Sequence, residues 1–460
     1  MIKFGTDGWR AVISDEFTFE NVKKVAFAIS SYLKNSGQSG KTVIFGYDAR
    51  FLADKFAETA ANIFMSQGFN CLIADKDTPT PVIAWQVLNK KACGALMFTA
   101  SHNPPQYCGI KFIPDYAGPA NEGITKQIEA ELAKNTSVPQ CLSASVPAFD
   151  PKPEYFAYIK KFFDAEAFKK SKLKIVVNPM FGSGRGYLSE LLKNYGCEVI
   201  EINNYRDVLF GGHNPEPEAE TCKDLIERVK EQKADLGLTM DGDADRFGVA
   251  DENGHFYSAN QTLAMVLDYL IEDRKITGSV VRSLGTTHML DAIAKKYGIT
   301  VHETPVGFKH IAKYMMSEEV IIGGEESGGF SIKGHIPEKD GILANLMVAE
   351  MCAKRGKPLS KIWAELIKRF GDYKGLRSKL SLSDDKKQKL MSSLKENPPK
   401  DVNGIKVVEV RTFDGVKLIL ENDAWLLVRP SGTEPLVRIY AEAKDQAVLD
   451  KIEQYSKSLI

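Results

Sequence analysis

Short apolar runs and segments of helical period alternate over the first 140 residues of this chain. TVIFGYD (42–48) reads as a buried strand, and the segment before it places Val22, Val25, Ala26, Ile29, Tyr32 and Leu33 on one face of a helix. Residues 51–67 read as a helix stopped by Gly68. CLIAD (71–75) and GALMFTA (94–100) read as strands, the second ending at Ser101. Ser and Pro crowd residues 136–153, which predicts a boundary. A second alternating block follows, with strands LKIVVN (173–178), CEVIEIN (197–203) and ADLGLTM (234–240) and helices near 184–195 and 219–232. In a third, spanning about 256–370, GSVVRSL (278–284), ITVHETP (299–305) and VIIGGEE (320–326) alternate with helices. The tail differs: KVVEVRTF, VKLILE, AWLLVRP and LVRIYAEA are strands with little helix between them, and a helix follows near 445–458.

This rhythm predicts an α/β protein: three α/β domains, 1–145, 146–255 and 256–370, and a smaller α+β domain, 371–460. The length of 460 residues allows three or four domains at roughly 100–200 residues each. Each α/β block ends a strand in an unusual polar loop. Ligands of open α/β sheets sit at the carboxyl ends of strands, so these loops are expected to meet in a cleft between domains. A segment near 368–376 containing Gly371 and Gly375 is the expected hinge for the tail domain.

Composition narrows the partners. Hydrophobic residues make up 43% and charged residues 26%, with 60 Lys+Arg against 60 Asp+Glu. Without a basic surplus, nucleic-acid binding is not expected. Seven scattered cysteines include no CxxC pair, so neither a zinc site nor a disulfide framework is indicated, and reduced thiols in a cytoplasmic protein are the simplest reading. The N-terminal MIKFGTDGWRAV has no signal-peptide shape. No apolar run approaches the roughly 18 residues that span a membrane, so no membrane partner is expected.

Four loops carry candidate chemistry. In DGDADR (241–246), Asp241, Asp243 and Asp245 alternate, with Gly242 and Ala244 keeping the intervening positions small. Three hard oxygen donors suit Mg²⁺, and burying three carboxylates without a cation would be costly. A solvated acidic turn is the plain alternative. A calcium loop is the sharper rival, since Glu252 falls twelfth from Asp241, but Arg246 stands where such a loop needs Gly and the lead-in is a strand. TASHNPPQYCGIKF (99–112) puts Ser101 at a strand exit ahead of His102, with Lys111 able to supply positive charge; the serine is placed to attack or to carry phosphate, or the segment is simply a polar turn structured by His102. No GxSxG elbow is present, which argues against a hydrolase. RPSGTEP (429–435) offers the Arg429 fork with Ser431, Gly432 and Thr433 as an anion nest, or an ordinary turn. GEESGG (324–329) sets Glu325, Glu326 and Ser327 among glycines, suited to sugar hydroxyls or to a plain acidic turn. GSGRG (182–186) lacks the full spacing of a nucleotide-binding loop.

Taken together, TASHNP, DGDADR, GEESGG and RPSGTEP, in that order and behind an opening GTDGWR, resemble the α-D-phosphohexomutase superfamily over essentially the whole chain. The resemblance implies three related α/β domains and a smaller α+β domain around a central cleft. It implies a phosphoserine at Ser101, with Mg²⁺ held by Asp241, Asp243, Asp245 and that phosphoserine. Glu325 and Ser327 would then bind sugar hydroxyls, and Arg429, Ser431, Gly432 and Thr433 would hold the non-reacting phosphate. Arg10, Lys111 and His102 would act beside the phosphoserine, with Lys111 a candidate acid/base, and Arg246 and Lys309 would contact substrate. The implied activity is exchange of hexose 1-phosphate and 6-phosphate through a 1,6-bisphosphate, in a monomer or homodimer, with glucose 1,6-bisphosphate as activator. GEESGG followed by HIPEKDG (335–341) resembles the phosphoglucomutase branch, while the phosphomannomutase and phosphoglucosamine mutase branches differ in this loop. Cys108 departs from the family, which favours Asn there. Two rivals share the fold: a sugar-phosphate sensor, which would have lost Ser101 or an aspartate, and a bisphosphate synthase using a separate donor.

Overall fold

The computed structural model describes residues 2–5, 7–134, 137–139, 144–431 and 435–459. Four sheets carry the chain. The first runs in the order Trp9–Val12, Tyr107–Pro114, Gly94–Phe98, Thr42–Tyr47, Asn70–Ala74 and Ala148–Phe149. The second runs Phe256–Tyr257, Phe247–Asp251, Leu236–Met240, Lys174–Asn178 and Glu198–Glu201. The third is Val301–Thr304, Ser279–Ser283, Val320–Glu325 and Gly329–Ile332. The fourth is antiparallel throughout, from Lys374–Ser381 across Leu436–Ala443, Trp425–Pro430, Val416–Leu420 and Ile405–Arg411 to Asp401–Val402.

The first three sheets share one device. Each has parallel central strands, and one of these turns back on itself as an antiparallel hairpin: Gly94–Phe98 with Tyr107–Pro114, Leu236–Met240 with Phe247–Asp251, and Val320–Glu325 with Gly329–Ile332. The turns of these hairpins are the TASHNP, DGDADR and GEESGG loops. The outgoing strands were legible from sequence because they are continuous apolar runs, buried on both faces. Their returning partners were not, because they follow the polar loops directly.

The helix Phe19–Asn35 buries Val22, Val25, Ala26, Ile29 and Leu33, and Thr18 caps it by accepting from the Asn21 amide. The helix Ala53–Ser66 ends just before Gly68, which has φ +84°. The tail also contains the helix Asp384–Glu396 ahead of its later strands. Only Met391 and Leu394 of its thirteen residues are buried, too thin a stripe for the sequence pattern to show. Gly371, at φ +98°, ends the helix Leu359–Phe370, whereas Gly375 lies inside a strand opposite Glu442. Of the two glycines of the expected hinge, only Gly371 therefore sits at a joint.

The second and third sheets share a continuous apolar core. Its centre is the helix Gly341–Arg355, buried over twelve consecutive residues and capped by Asp340, which accepts from the Ile342 and Leu343 amides. The start of this helix lies under DGDADR: the Gly341 amide donates to Ala244 O at 3.0 Å, and a Cβ at Gly341 would stand 2.2 Å from Arg246 O. Among the described residues, no helix is long and apolar enough to cross a membrane.

The fourth sheet is joined to the third by a buried ionic cluster and a small apolar patch in which Leu284 packs with Trp425, Leu427 and Tyr440. Glu303 accepts from Arg282 (2.6 Å) and Lys417 (2.6 Å), and pairs with Arg411 (2.5 Å). Lys417 also donates to Leu284 O, and Glu442 accepts from the His288 amide and the Trp425 indole. Burial pushes the Glu303 carboxyl up, but Arg282, Lys417 and Arg411 outweigh it and hold it at about 2. Replacing Glu303 by Ala leaves buried Arg282 with Asp291 alone and strips buried Lys417 of its carboxylate partner. Glu303→Ala is expected to destabilise the junction by about 3–5 kcal/mol, read as an earlier transition in urea unfolding. An unshifted unfolding curve would show that the cluster does not hold the fourth sheet.

Candidate active site

Backbone geometry builds the first loop. Ser101, three residues past its strand, lies in the left-handed region at φ +51°, which residues other than Gly, Asn and Asp seldom occupy. A fully buried arginine holds it there. Arg50 donates to Ser101 O (2.7 Å), Asn103 O (2.7 Å), Pro104 O (2.8 Å) and Tyr107 O (2.9 Å), while its Nε pairs with Asp48. Thr99 ties this pair to the loop, donating to Asp48 and accepting from the Ser101 amide at 2.8 Å.

The second loop is fitted against the first by absent side chains. A Cβ on Gly242 would lie 2.8 Å from Ser101 O, and one on Gly182 would lie 2.7 Å from Gly242 O. GSGRG thus has a local role: Gly182 permits the close approach, Ser183 donates to Gly242 O, and Arg185 reaches Asp77 of the first domain at 2.6 Å. Ala244 adopts φ +56°.

The result is a buried cluster in which carboxylate oxygens of Asp241, Asp243 and Asp245 lie within 4.8 Å of one another. Ser101 Oγ donates to Asp241 Oδ2 at 2.8 Å and lies 3.2 Å from His102 Nδ1. Lys111 Nζ contacts Asp243 Oδ2 (2.9 Å), Asp245 Oδ2 (2.8 Å) and Asp7 Oδ2 (2.9 Å). Thr80 braces Asp243, donating its hydroxyl to Oδ2 at 2.6 Å and its amide to the main-chain oxygen. These contacts occupy one oxygen of each carboxylate. The opposite oxygens, Asp243 Oδ1 and Asp245 Oδ1, are buried with no partner among the described residues. A cluster of hard oxygens with two orphaned acceptors fits a divalent cation such as Mg²⁺. The calcium-loop alternative fails on geometry, since the loop joins two antiparallel strands and Glu252 bonds Ser360 instead.

Electrostatics assigns charge states. Burial, reinforced by Asp243 and Asp245, raises the Asp241 carboxyl well above its usual range. Burial would also raise Asp245, but Lys111, Lys339 and Arg246 overcome it and lower that group. Lys111 is held protonated: burial disfavours its charge, but Asp243, Asp245 and Asp7 raise its pKa well above the ordinary value. Burial, with Arg246 and Arg10, drives His102 well below its usual pKa, so it is neutral at pH 7.

Arg10 donates to Asn103 Oδ1 at 2.7 Å and lies beside Asp7. Arg246 pairs with Glu216 at 3.3 Å, and its Nε is buried without a partner among the described residues. Glu325 accepts from the Gly307 amide at 2.8 Å. Ser327 lies in the adjoining turn and, with Glu216, Glu326 and Arg377, lines a cavity of about 590 Å³ between the second, third and fourth domains. Lys309 pairs with Glu122 of the first domain at 3.2 Å. Arg429 is held by Asp414, and Ser431 is buried. Gly432 and Thr433 lie outside the described residues.

Sequence reasoning missed several members of the cluster. Lys339 lies 3.0 Å from Asp245, and Asp7, Thr80 and Arg50 complete the surroundings. HIPEKDG and GTDGWR drew notice as motifs, but no periodicity singles out one Lys or Asp within them.

Glu325 is nearly fully buried, at 5% exposure, and burial raises its carboxyl from 4.5 to about 7 against the pull of Lys339. Its ionised form carries a cost that is absent below about pH 4.5 and complete above about pH 7. Glu325→Gln is therefore expected to stabilise the ligand-free protein at pH 8, by on the order of 2–3 kcal/mol, and to change nothing at pH 4.5. Thermal melting at the two pH values checks this, and equal shifts at both would refute it.

Four consecutive phosphoglucomutase/phosphomannomutase profiles match the chain: alpha/beta/alpha domain I at residues 1–139, domain II at 153–254, domain III at 258–370 and the C-terminal domain at 385–455. The chain is 34% identical to the phosphoglucomutase/phosphomannomutase of Thermococcus kodakarensis, covering 98% of this chain and 96% of that one. It is 30% identical to the phosphoglucosamine/phosphogalactosamine mutase of Sulfurisphaera tokodaii, covering 99% and 98%. A solved protein of Thermus thermophilus, described as a candidate phosphomannomutase, superposes with a TM-score of 0.88 at 32% identity, covering 100% of this chain and 98% of that one.

Proposed function

The chain belongs to the phosphoglucomutase/phosphomannomutase family and is a phosphohexomutase, and we propose that it interconverts glucose 1-phosphate and glucose 6-phosphate through a phosphoserine at Ser101. The observation that carries this reading is the Ser101 hydroxyl, 2.8 Å from Asp241 inside the three-carboxylate cluster. Phosphorylation of that hydroxyl would add phosphoryl oxygens to the cluster that holds the orphaned oxygens of Asp243 and Asp245. Asp241, Asp243 and Asp245 would hold Mg²⁺, which when bound offsets charge on the transferring phosphoryl group.

The chain's own groups divide the remaining work. A sugar hydroxyl attacks phosphorus, the bond from phosphorus to Ser101 Oγ breaks, and the bound bisphosphate then reorients and returns its other phosphoryl group. Neutral His102, 3.2 Å from Oγ, is placed to pass a proton at that atom. Protonated Lys111 neutralises charge on the transferring group, and its role as acid or base requires its carboxylate contacts to loosen, because they hold its proton tightly. Arg10, Lys309 and Arg246 orient phosphate, with Lys309 exchanging Glu122 for the ligand. Glu325 and Ser327 take the sugar hydroxyls, and Arg429, Ser431, Gly432 and Thr433 take the distal phosphate.

The preference for glucose rests on GEESGG and HIPEKDG; relatives of similar identity are named for glucose, mannose or glucosamine phosphates. The domain division proposed is 1–145, 146–255, 256–370 and 371–460, one sheet to each apart from the edge strands Ala148–Phe149 and Phe256–Tyr257, which reach across boundaries. Hexose phosphates are the proposed partners of a cytoplasmic monomer or homodimer, with glucose 1,6-bisphosphate as activator.

Coupled assays with glucose, mannose and glucosamine 1-phosphates test the assignment, with glucose expected to give the highest kcat/KM. Ser101→Ala should lose turnover by at least about a thousandfold while melting normally. EDTA should abolish activity and Mg²⁺ restore it, and Asp243→Asn should raise the Mg²⁺ concentration needed. Undiminished turnover in Ser101→Ala would sink the phosphoserine, and chelator-resistant turnover the metal.

A further inference from the structure

Arg429 opens RPSGTEP, but a residue outside every motif sets its direction. Its Nε lies 2.9 and 3.0 Å from the two carboxylate oxygens of Asp414. This pair does not engage the two Nη groups, which supply the parallel fork for a phosphate. Asp414 and Arg429 are both largely covered, so the pair is sheltered from solvent screening. The turn behind Asp414 is pressed onto the strand that carries Arg429. Gly415 has φ +89°, and a Cβ there would lie 2.6 Å from Val428 O and 3.1 Å from Arg429 Cα. Only a glycine allows this approach, so the turn and the arginine form one rigid unit.

Asp414 also reaches into the third domain. Its Oδ2 accepts from the Val306 amide at 2.8 Å, and the next amide, Gly307, donates to Glu325 Oε1 at 2.8 Å. Two consecutive N–H groups at the start of the helix Phe308–Ser317 thus join the guanidinium partner in the fourth domain to the carboxylate of GEESGG. The sequence gives no hint of this, because Asp414, Val306 and Glu325 are far apart along the chain.

We propose that Asp414 is a positioning residue that couples the phosphate-holding Arg429 to the sugar-holding Glu325 through the Val306 and Gly307 amides. The inference rests on the roles proposed above for Arg429 and Glu325. With both ends engaged, the fourth domain is docked on the third; when a hexose phosphate fills one end, the other is set in place. The pair thereby reads the distance between a phosphate and the sugar hydroxyls, a property of the whole hexose phosphate that neither group senses alone.

A double-mutant cycle tests this, using calorimetric binding of glucose 6-phosphate to the Mg²⁺-supplemented enzyme. Asp414→Ala is expected to weaken binding about tenfold in the wild-type background. In the Glu325→Ala background the same change should cost less than about threefold. Asp414→Asn, which keeps an acceptor for Val306 but loses the ion pair, should fall between wild type and Asp414→Ala. Inorganic phosphate, which spans only one end, should lose the same factor on Asp414→Ala whether or not Glu325 is present. Equal penalties for glucose 6-phosphate in the two backgrounds would overturn the coupling. If Asp414→Ala does not melt cooperatively, the same comparison with Asp414→Asn decides. A wild-type protein that neither binds nor turns over any hexose phosphate would instead sink the mutase reading, a result distinct from additive penalties.

Discussion

Three carboxylates and two ammonium groups lie together out of water at the centre of this protein, and the rest of the architecture follows from keeping them there. Each buried ion forfeits hydration worth several kcal/mol, which only close and well-directed counter-charges offset. Asp241, Asp243 and Asp245 come from the second domain, Lys111 from a strand of the first, and Lys339 from the segment before the main helix of the third. No single domain contains a balanced set. The first domain alone would bury Lys111 near Asp7 only, and the second would bury three like charges against each other. The three domains must therefore pack before any has a satisfied site. That need explains the close contacts around the cluster, from Gly242 on Ser101 to Gly341 under Arg246.

The same constraint decides what the sequence could reveal. TASHNP, DGDADR and GEESGG were legible because each interrupts a fully apolar strand with polar residues, a contrast that needs no structure to detect. Their placement at hairpin tips was not, because direction reverses within the loop and the pattern after it carries no marker. Arg50 shows the limit from another side. It is buried and gives most of its donors to main-chain oxygens of the serine loop, yet it sits in YDARF with no periodic or compositional signal. Thr80 and Lys339 are similar: each acts on a carboxylate far away in the chain, and only topology brings them together. The resemblance to the superfamily supplied the roles that spacing left open, and the four matched domains and relatives identical at 30% or more bear out the family and its fold.

The fourth domain stands apart in how it is attached. The second and third domains merge through one hydrophobic core, whose contacts weaken together if the parts separate. The fourth has its own core and meets the third through Glu303, Lys417, Arg411 and Asp414 beside a small apolar patch of Leu284, Trp425, Leu427 and Tyr440. Directional bonds of this kind can be exchanged one for another at modest cost, while a shared core cannot slide without opening cavities. A joint of ion pairs and one small apolar patch, next to a glycine at φ +98°, suits the release and regrip of a ligand that the proposed reaction would need.

Charge balance links this division to the proposed chemistry. Asp7, Asp243 and Asp245 face Lys111, Lys339 and Arg10, and Arg246 pairs with Glu216, so much of the cluster's charge is matched before any ligand arrives. A phosphate on Ser101 would bring up to two negative charges, which a divalent cation held by the aspartates would cancel. Transfer of the phosphoryl group to a sugar then moves negative charge within the site without creating any, so the fixed groups need not reorganise at each half-reaction. In the proposed reaction, the groups that would regrip the ligand are Glu325, Ser327 and Arg429. These lie at the third and fourth domains, beyond the aspartate cluster, where ion pairs and a small apolar patch join the two.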